Sequence, residues 1–549
     1  MSLPRQLPPV EPDPKLLALF ELEDRIPSAV RRQATFFIFF ARTIFPMLEN
    51  YRDRLSAAYC QNNGRPAWDP VCLLGVLIMQ FVLRVGDRQA AESVQYDQRW
   101  RLALHLGEHD AAFEPSVLVV FRNRLLDSGQ ESLAFESILD YLVEHGWVPK
   151  RSRQRLDSTH IWGVLSEMSR LDCVRETIRL FLKDIEAEGL LPETWSVYWD
   201  RYVESKLDPR AGMKALQVKS TEAGGDMLTI WKDVAWPNTA RDSFLLLQRV
   251  FLENYDLSGC IRQTRAQPTG AIHNPHEPEA QWSSKSTTKD KHWVGYKTQV
   301  AETVQKQPRE AGEPTANFLT AIVTQDATGS DKPGMAQVLD EQKNMGLEAP
   351  SEFFVDGAYI SGQALHDAKQ DGRELHGPAP ASPDRGKVFT VEAFDVHLDE
   401  RYALCPAGQR STNCSRVEEL RGRVIFRLEW NNTLCGTCPS FCKCVSDKQR
   451  HRTIVVGEHH DLLQARRNEM KTEAFKEDMQ QRNGIEGTQS ELVRGYGLRH
   501  ARYRGKAKVR LQNYLIGTAC NIRRLFRRIE WLTLHALKTT KTTAVAVPA

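Results

Sequence analysis

Hydrophobic positions along the chain change period several times. Residues 28–149 are patterned as helices throughout. Phe36 to Phe45 is a dense apolar run, and Trp68-Asp69-Pro70 reads as a helix start ahead of the apolar stretch Val71–Val85. Asp87 is placed to cap the next helix. Glu114-Pro115-Ser116 introduces another that carries Phe121-Arg122-Asn123-Arg124. The pattern predicts five or six helices in a compact all-α domain. It changes at Lys150, where Arg153–Asp157 reads as a strand. Helical spacing returns from Met168 to about Gln263, and Thr264–Asp290 is loop-like. Then come strand patterns at His292–Val304, Asn317–Thr324, Glu352–Asp356 and Glu374–Gly377. Helices at Asp331–Met345 and Ser361–Lys369 interleave with them. Strands interleaved with helices predict an α/β layer. A cysteine-rich segment, 401–446, interrupts it. Leu462–Gln480 then reads as one helix and Gly484–Trp531 as one or two long basic helices. Residues 1–27 read as a flexible leader and 536–549 as a disordered tail.

Composition narrows the class. A chain of 549 residues suggests about three to four domains. Its 41% hydrophobic and 26% charged residues exclude wholesale disorder and a fibrous repeat. Val71–Val85 is broken by Gln80 and Arg84 and is shorter than the roughly 20 residues a membrane helix needs. The Pro-rich start has no apolar signal core, so the expected location is the cytoplasm, with no membrane partner. Net charge is +3 and by itself implies no partner. Of the eleven cysteines, six crowd between Cys405 and Cys444. In a reducing compartment such a cluster points to metal more than to disulfides.

Three acids draw the eye to chemistry. Asp157 and Asp356 are read as closing strands, and Glu486 as opening a basic helix. Ligand sites in open α/β sheets favour the carboxyl ends of strands. If the two strands are neighbours, their aspartates share one pocket. Packed carboxylates repel, and a hard divalent cation relieves that repulsion. Two Mg²⁺ ions roughly 4 Å apart suit phosphodiester chemistry. Singly, each acid has a plainer reading: Asp157 and Asp356 as turn residues, Glu486 as a solvated helix acid.

The surrounding words are more specific. In order along the chain stand GRPAWDPVCLLGVLIMQ, FEPSVLVVFRNRLL, LDSTH, KHWVGYKTQVAET, FFVDGAYISGQAL, CPAGQRS, CGTCPSFCKC and RNGIEGTQSELVRGYGLRHARYRGKAKVRLQNYLIGTACNIRRL. These blocks resemble the DDE transposases of bacterial insertion sequences. The group resembled has an InsH-like helical N-terminal domain and a cysteine-containing insert before the last catalytic acid. The resemblance covers roughly residues 30 to 535. It implies an α+β or α/β multidomain chain: an all-α N-terminal domain (28–149), then an RNase H-like catalytic core. The core's first part is 150–400, with a helical insertion at about 168–263. The cysteine-rich insert is 401–446, and 447–535 ends the core. It implies that Asp157, Asp356 and Glu486 are the catalytic, metal-holding triad, with two Mg²⁺ or Mn²⁺ ions. Asp326 and Asp331 are rival acids ranked well below it. Of the related Tyr, Arg, Glu and Lys pattern, Arg482 and Glu486 fit. Met479 stands at the Tyr position and Val493 at the Lys position, with Arg494 next door.

Two further clusters add detail. Between Arg482 and Arg528 stand twelve Lys or Arg against two acids, a local +10. Such a patch attracts phosphate. Arg482, Arg494, Arg499, Arg502, Arg504, Lys506, Lys508 and Arg510 are its candidate DNA contacts, and a solvated helix face is the alternative. Tyr496 and Tyr503 interleave with it, to stack or to pack. Cys435-x2-Cys438 has knuckle spacing, and Cys405 and Cys444 can complete four thiolates for a structural Zn²⁺. These four match the resembled pattern. Cys414 and Cys442 can substitute, and reduced, partly buried thiols are the plainer alternative. The expected partners are double-stranded DNA, as terminal inverted repeats and target, and a second copy of the chain on that DNA. A catalytically silent repressor of the same element and a nuclease of the same fold remain as rival functions.

Overall fold

The computed structural model describes residues 2–3, 11–21, 35–60, 64–107, 110–208, 210–235, 237–262, 268–285, 292–305, 310–382, 388–419, 422–446 and 449–545. At its centre is a six-stranded mixed sheet. Its strands are β1 (Arg153–Trp162), β2 (Gln281–Ser284), β3 (His292–Thr303), β4 (Leu319–Asp326), β5 (Glu352–Phe354) and β6 (Glu374–His376). The order is β2-β3-β1-β5-β6, with β4 also paired to β3. β3 runs antiparallel to β1, β2 and β4, whereas β1, β5 and β6 run parallel. Side chains alternate between two cores, as the period of a strand requires. Ile161, Val300 and Ile322 face one, and Leu156, Ala301, Ala321 and Val323 face the other.

Two strand predictions need correction. β1 does not end at Asp157; it continues to Trp162, because its second half pairs with β3 from Asp157↔Val300 to Trp162↔Gly295. Asp157 therefore sits inside a strand. β5 stops at Phe354, so Asp356 lies two residues past its end. β2 falls in a segment expected to be loop. Its polar QWSS sequence carries no apolar alternation, and pairing to β3 alone makes it a strand.

The first core face is covered by helices from both ends of the chain. Thirteen of the fourteen residues of Pro70–Leu83 are buried. A helix apolar all round needs neighbours on every side. It starts as predicted: Asp69 accepts from the Val71 and Cys72 N–H groups at 2.8 and 2.9 Å, with Pro70 in the first turn. That cap contributes about 1 kcal/mol. Asp87 is not a cap. Gly86 holds that position, and the Asp87 carboxylate instead binds Arg122 and Gln80. The N-terminal helices do not close a core of their own. Phe36, Phe81 and Phe135 share one cluster with Leu515, Ile522 and Phe526 of the last helix, Lys506–Val545. That helix runs through most of the expected tail, leaving 546–549 outside the described residues. Within the expected leader, Pro14–Glu21 is a helix, and residues 1, 4–10 and 22–27 lie outside the described residues.

The helical segment Arg170–Asn254 forms a separate cluster around Phe181, Phe244 and Phe251. The cysteine-rich part is built on short strands: β7 (Asp395–His397), β8 (Tyr402–Leu404), β9 (Asn413–Glu418), β10 (Val424–Glu429) and β11 (Thr453–Gly457). After it, the helix expected over Leu462–Gln480 is two helices, His460–Glu469 and Glu473–Tyr496. Thr472 separates them and caps the second by accepting from Phe475 N–H. Glu486 is thus in mid-helix, not at a helix start. Gly497, at φ 77°, ends that helix in the left-handed conformation glycine adopts without strain. Among the described residues no single helix is long and apolar enough to cross a membrane.

Candidate active site

The parallel pairing of β1 with β5 brings Asp157 and Asp356 to neighbouring positions, and the helix Glu473–Tyr496 packs across them. All three predicted acids line one open cavity of about 940 Å³. Arg482 stands among them. Its guanidinium lies 3.0 Å from Asp157, 3.9 Å from Asp356 and 3.8 Å from Glu486. Exposure is graded: 13% of the Asp157 side chain, 37% of Asp356 and 71% of Glu486. Burial pushes the Asp157 carboxyl above its ordinary value and Asp356 adds to this, while Arg482 and the Ser158 N–H pull it back. A carboxylate group so placed has the hard-oxygen donor chemistry that suits Mg²⁺. Among the described residues, however, no three His, Cys, Asp or Glu side chains are grouped tightly enough to hold a metal ion as placed. The acids converge on Arg482, which carries the positive charge at that point.

A buried ionic layer holds the acid-bearing helix against the sheet. Glu302 on β3 is fully buried and takes Arg155 Nε at 2.7 Å, Arg524 Nη1 at 2.7 Å and Thr488 Oγ1 at 2.8 Å. Burial alone would raise Glu302; Arg524 and Arg155 outweigh it and hold the carboxyl below its ordinary range. Arg155 also donates to the Gln481 carbonyl at 2.9 Å, one residue before Arg482. Gly484 makes room for it: a Cβ there would lie 1.9 Å from Arg155 Nη1. Gln489, on the same helix, donates to the Ser158 carbonyl at 3.2 Å. Sequence reasoning missed Glu302, Arg155, Thr488 and Gly484. The one signal was Gly484 inside a helix, where glycine is otherwise unfavourable by roughly 1 kcal/mol.

Other residues line the same cavity. Asp331 is there, but Lys297 holds it at 2.5 Å; Asp326 is outside and pairs with Lys506 at 2.9 Å. His160 lies 4.9 Å from the Trp293 ring, and burial with nearby Arg499 and Lys285 brings its pKa down to about 4. Of the predicted basic contacts, Arg494, Arg502, Arg504, Lys508 and Arg510 are exposed, although Arg510 pairs with Glu131. Arg499 donates to the His160 carbonyl at 3.0 Å. Beyond Arg510 the basic run turns inward: Arg524 joins the buried layer and Arg528 pairs with Glu313. Tyr496 is buried, and Tyr503 lies 4.8 Å beneath the Arg122 guanidinium, so both pack.

All eleven cysteines are free thiols. Cys405, Cys435, Cys438 and Cys444 line one small, mostly apolar cavity of about 20 Å³, whereas Cys414 and Cys442 are outside it. Burial pushes Cys444 up to about 11, and its three cavity neighbours add to the rise against Arg452. Backbone N–H groups of Gln409 and Arg452 point at Cys405 and Cys435 Sγ, at 3.3 and 3.5 Å. The volume holds about one water-sized particle.

Two family models match the chain. One is described as a transposase DDE domain and matches residues 404–526; the other is a transposase domain (DUF772) and matches residues 20–124. The first spans the four cavity cysteines, Arg482 and Glu486; both aspartates lie in the unmatched stretch between the two. No curated protein matches the chain. The two matches support a DDE transposase of insertion-sequence type. A DDE domain implies an RNase H-like core, a divalent-metal-dependent nuclease or transposase, and DNA binding.

Proposed function

We propose that the chain binds the ends of an insertion sequence, cleaves them and joins them to target DNA. The observation that carries this reading is the convergence of Asp157, Asp356 and Glu486 on one cavity around Arg482. Asp157, Asp356 and Glu486 are the residues that would hold two Mg²⁺ or Mn²⁺ ions. Such ions supply Lewis-acid activation of an attacking oxygen and charge neutralisation at a leaving one. In the first step a water oxygen bonds to phosphorus at the element's end, and the bond to the 3′ oxygen breaks. In the second, the freed 3′-hydroxyl attacks a target phosphodiester and displaces the 3′ oxygen of that strand. Asp157 is the fixed member, held in mid-strand with its neighbour Ser158 N–H bound to it at 2.8 Å. Glu486, the exposed member, closes on the site as substrate fills it. Arg482 then exchanges its ion pairs with the acids for one with a DNA phosphate, keeping its own charge.

The domain reading follows the same proposal. Residues 28–149 recognise terminal inverted repeats or pair two copies, 150–400 and 447–535 form the catalytic core, and 401–446 is an insert. Arg494, Arg499, Arg502, Arg504, Lys506, Lys508 and Arg510 border the path of the DNA backbone as it leaves the cavity. Cys405, Cys435, Cys438 and Cys444 would hold one structural Zn²⁺ in the insert after drawing together: they line one small cavity, but as placed no three of them are grouped tightly enough to hold an ion. The test is a cleavage and joining assay on DNA from both flanks of the chain's own gene, with Mg²⁺ or with EDTA. Metal-dependent nicks and joined products are expected. Nicks without joining would make the chain a nuclease, and tight binding without cleavage a repressor.

A further inference from the structure

We infer that a separate cavity, beside the edge strand β6, binds a small organic oxyanion: a carboxylate or phosphate group carried on an apolar body. The cavity is about 310 Å³ and lies where β6 meets the helices Gly362–Gln370 and His460–Glu469. That is within the size range of small-molecule sites. It shares no lining residue with the acid cavity, and the inference does not rest on the transposase reading. Its walls divide by chemistry. Leu365, Leu375 and Leu462 supply an apolar side, and Lys369, Arg373 and His376 a polar one.

Arg373 carries the argument. Its side chain is 3% exposed, and its Nη2 bonds to Asp371 at 3.2 Å. Among the described residues its Nε and Nη1 have no hydrogen-bond partner. The two ring nitrogens of His376 have none either; Glu374 and Asp478 stand 3.5 and 3.8 Å away. Buried polar groups are nearly always bonded, so four such nitrogens in one cavity call for a partner from outside the chain. A guanidinium only donates, and an imidazole always offers at least one N–H, so that partner is an acceptor. It is also negative. Burial pulls the Arg373 pKa below its ordinary value against Asp371 and Asp367, so the charge is under-compensated. Lys369, exposed on the rim, is ion-paired with no carboxylate among the described residues. The acids of the lining do not answer these charges. Glu469 is held by Arg466 at 2.7 Å, and the Glu374 side chain is 76% exposed. A nucleic-acid backbone would leave the apolar wall uncovered, whereas an acid with a hydrocarbon body fills both sides.

The test titrates hexanoate, phenyl phosphate and inorganic phosphate into the full-length protein without divalent metal, read by calorimetry and by melting temperature. At least one organic probe is expected to bind saturably, with Kd about 1 mM or below, and the tighter of the two identifies the head group. Inorganic phosphate leaves the apolar wall bare and should bind about tenfold more weakly. Arg373→Met exchanges an under-compensated buried charge for an apolar chain. Its unliganded melting temperature should hold or rise, and probe binding should weaken about tenfold or more. Ala465→Trp, at an exposed position of the lining, fills the cavity and should abolish binding; it decides the matter if Arg373→Met does not fold. Absence of saturable binding by both organic probes overturns the site, as does wild-type affinity in Ala465→Trp. A lowered melting temperature with wild-type affinity in Arg373→Met makes the guanidinium structural and also overturns it. Displacement of the bound probe by duplex DNA would make the cavity a DNA contact and overturn the small-molecule assignment.

Discussion

The acid cavity gathers residues from Asp157 to Gln489, whereas the thiol cavity is built within residues 405–452, and the two differ in size and polarity. The first is about 940 Å³, open, and lined by charges of both signs. The second is about 20 Å³ and mostly apolar. In the first, Glu486 is largely in solvent and Arg482 stands between the acids. In the second, Cys435 and Cys444 are buried, and backbone N–H groups face two of the sulfurs. A wide cavity with an internal cation suits a large polyanion and exchangeable ions that arrive with it. A small cavity lined by four thiols would suit a soft metal that stays. Under the proposed function, the difference separates a site that reacts from a site that holds the insert together.

Substitutions should break the two apart. Asp356→Asn is expected to lower cleavage by roughly 10³-fold while leaving duplex affinity largely intact, as gel shift and nicking assays on one preparation will read. Gly484→Ala should come next. An added Cβ would lie 1.9 Å from Arg155 Nη1, so either Arg155 gives up Glu302 and the Gln481 carbonyl or the helix that carries Glu486 shifts, and cleavage should fall roughly 10–100-fold with the Mg²⁺ requirement raised. Native mass spectrometry should find one equivalent of zinc on wild type and none on Cys435→Ser, and residues 401–446 of the variant should open to protease. Cleavage should fall less than in Gly484→Ala.

A half-buried acid elsewhere gives the smallest effect and a useful contrast. Glu341 meets a phenol where Asp157 meets a guanidinium: Tyr514 Oη donates to it at 3.0 Å. Burial, opposed by Tyr514 and the Ile322 backbone, raises its pKa from 4.5 to about 7. The unfolded carboxyl loses its proton near 4.5 and the folded one near 7. Between those values the unfolded state binds fewer protons, so stability should decline as pH rises, by on the order of a few kcal/mol in total. Glu341→Gln should remove that decline, and urea melts across the window will show it.

Much of this was legible in the sequence. The Asp69-Pro70 start and the strand-and-helix alternation are local signals and appear where they were expected, whereas Asp157 falls in mid-strand and Glu486 in mid-helix instead of at the ends read for them. What was not legible depends on distant partners. β1 extends past Asp157 only because β3 pairs with it. The basic C-terminal run looked like one cationic face, but Arg524 finds Glu302, Arg528 finds Glu313 and Arg510 finds Glu131. Those carboxylates lie 200 or more residues away along the chain, so counting charge in a window cannot see them. Likewise, Leu462–Gln480 looked continuous until Thr472 supplied a cap inside it.

The central claim is that Asp157, Asp356 and Glu486 act as one metal-dependent cleavage site. The most direct measurement incubates DNA from both flanks of the gene with wild type and with Asp356→Asn, in Mg²⁺ and in EDTA. The account predicts nicking at a flank and joined products for wild type in Mg²⁺ alone, with neither in the mutant. Cleavage that persists in Asp356→Asn, or in EDTA, would contradict it.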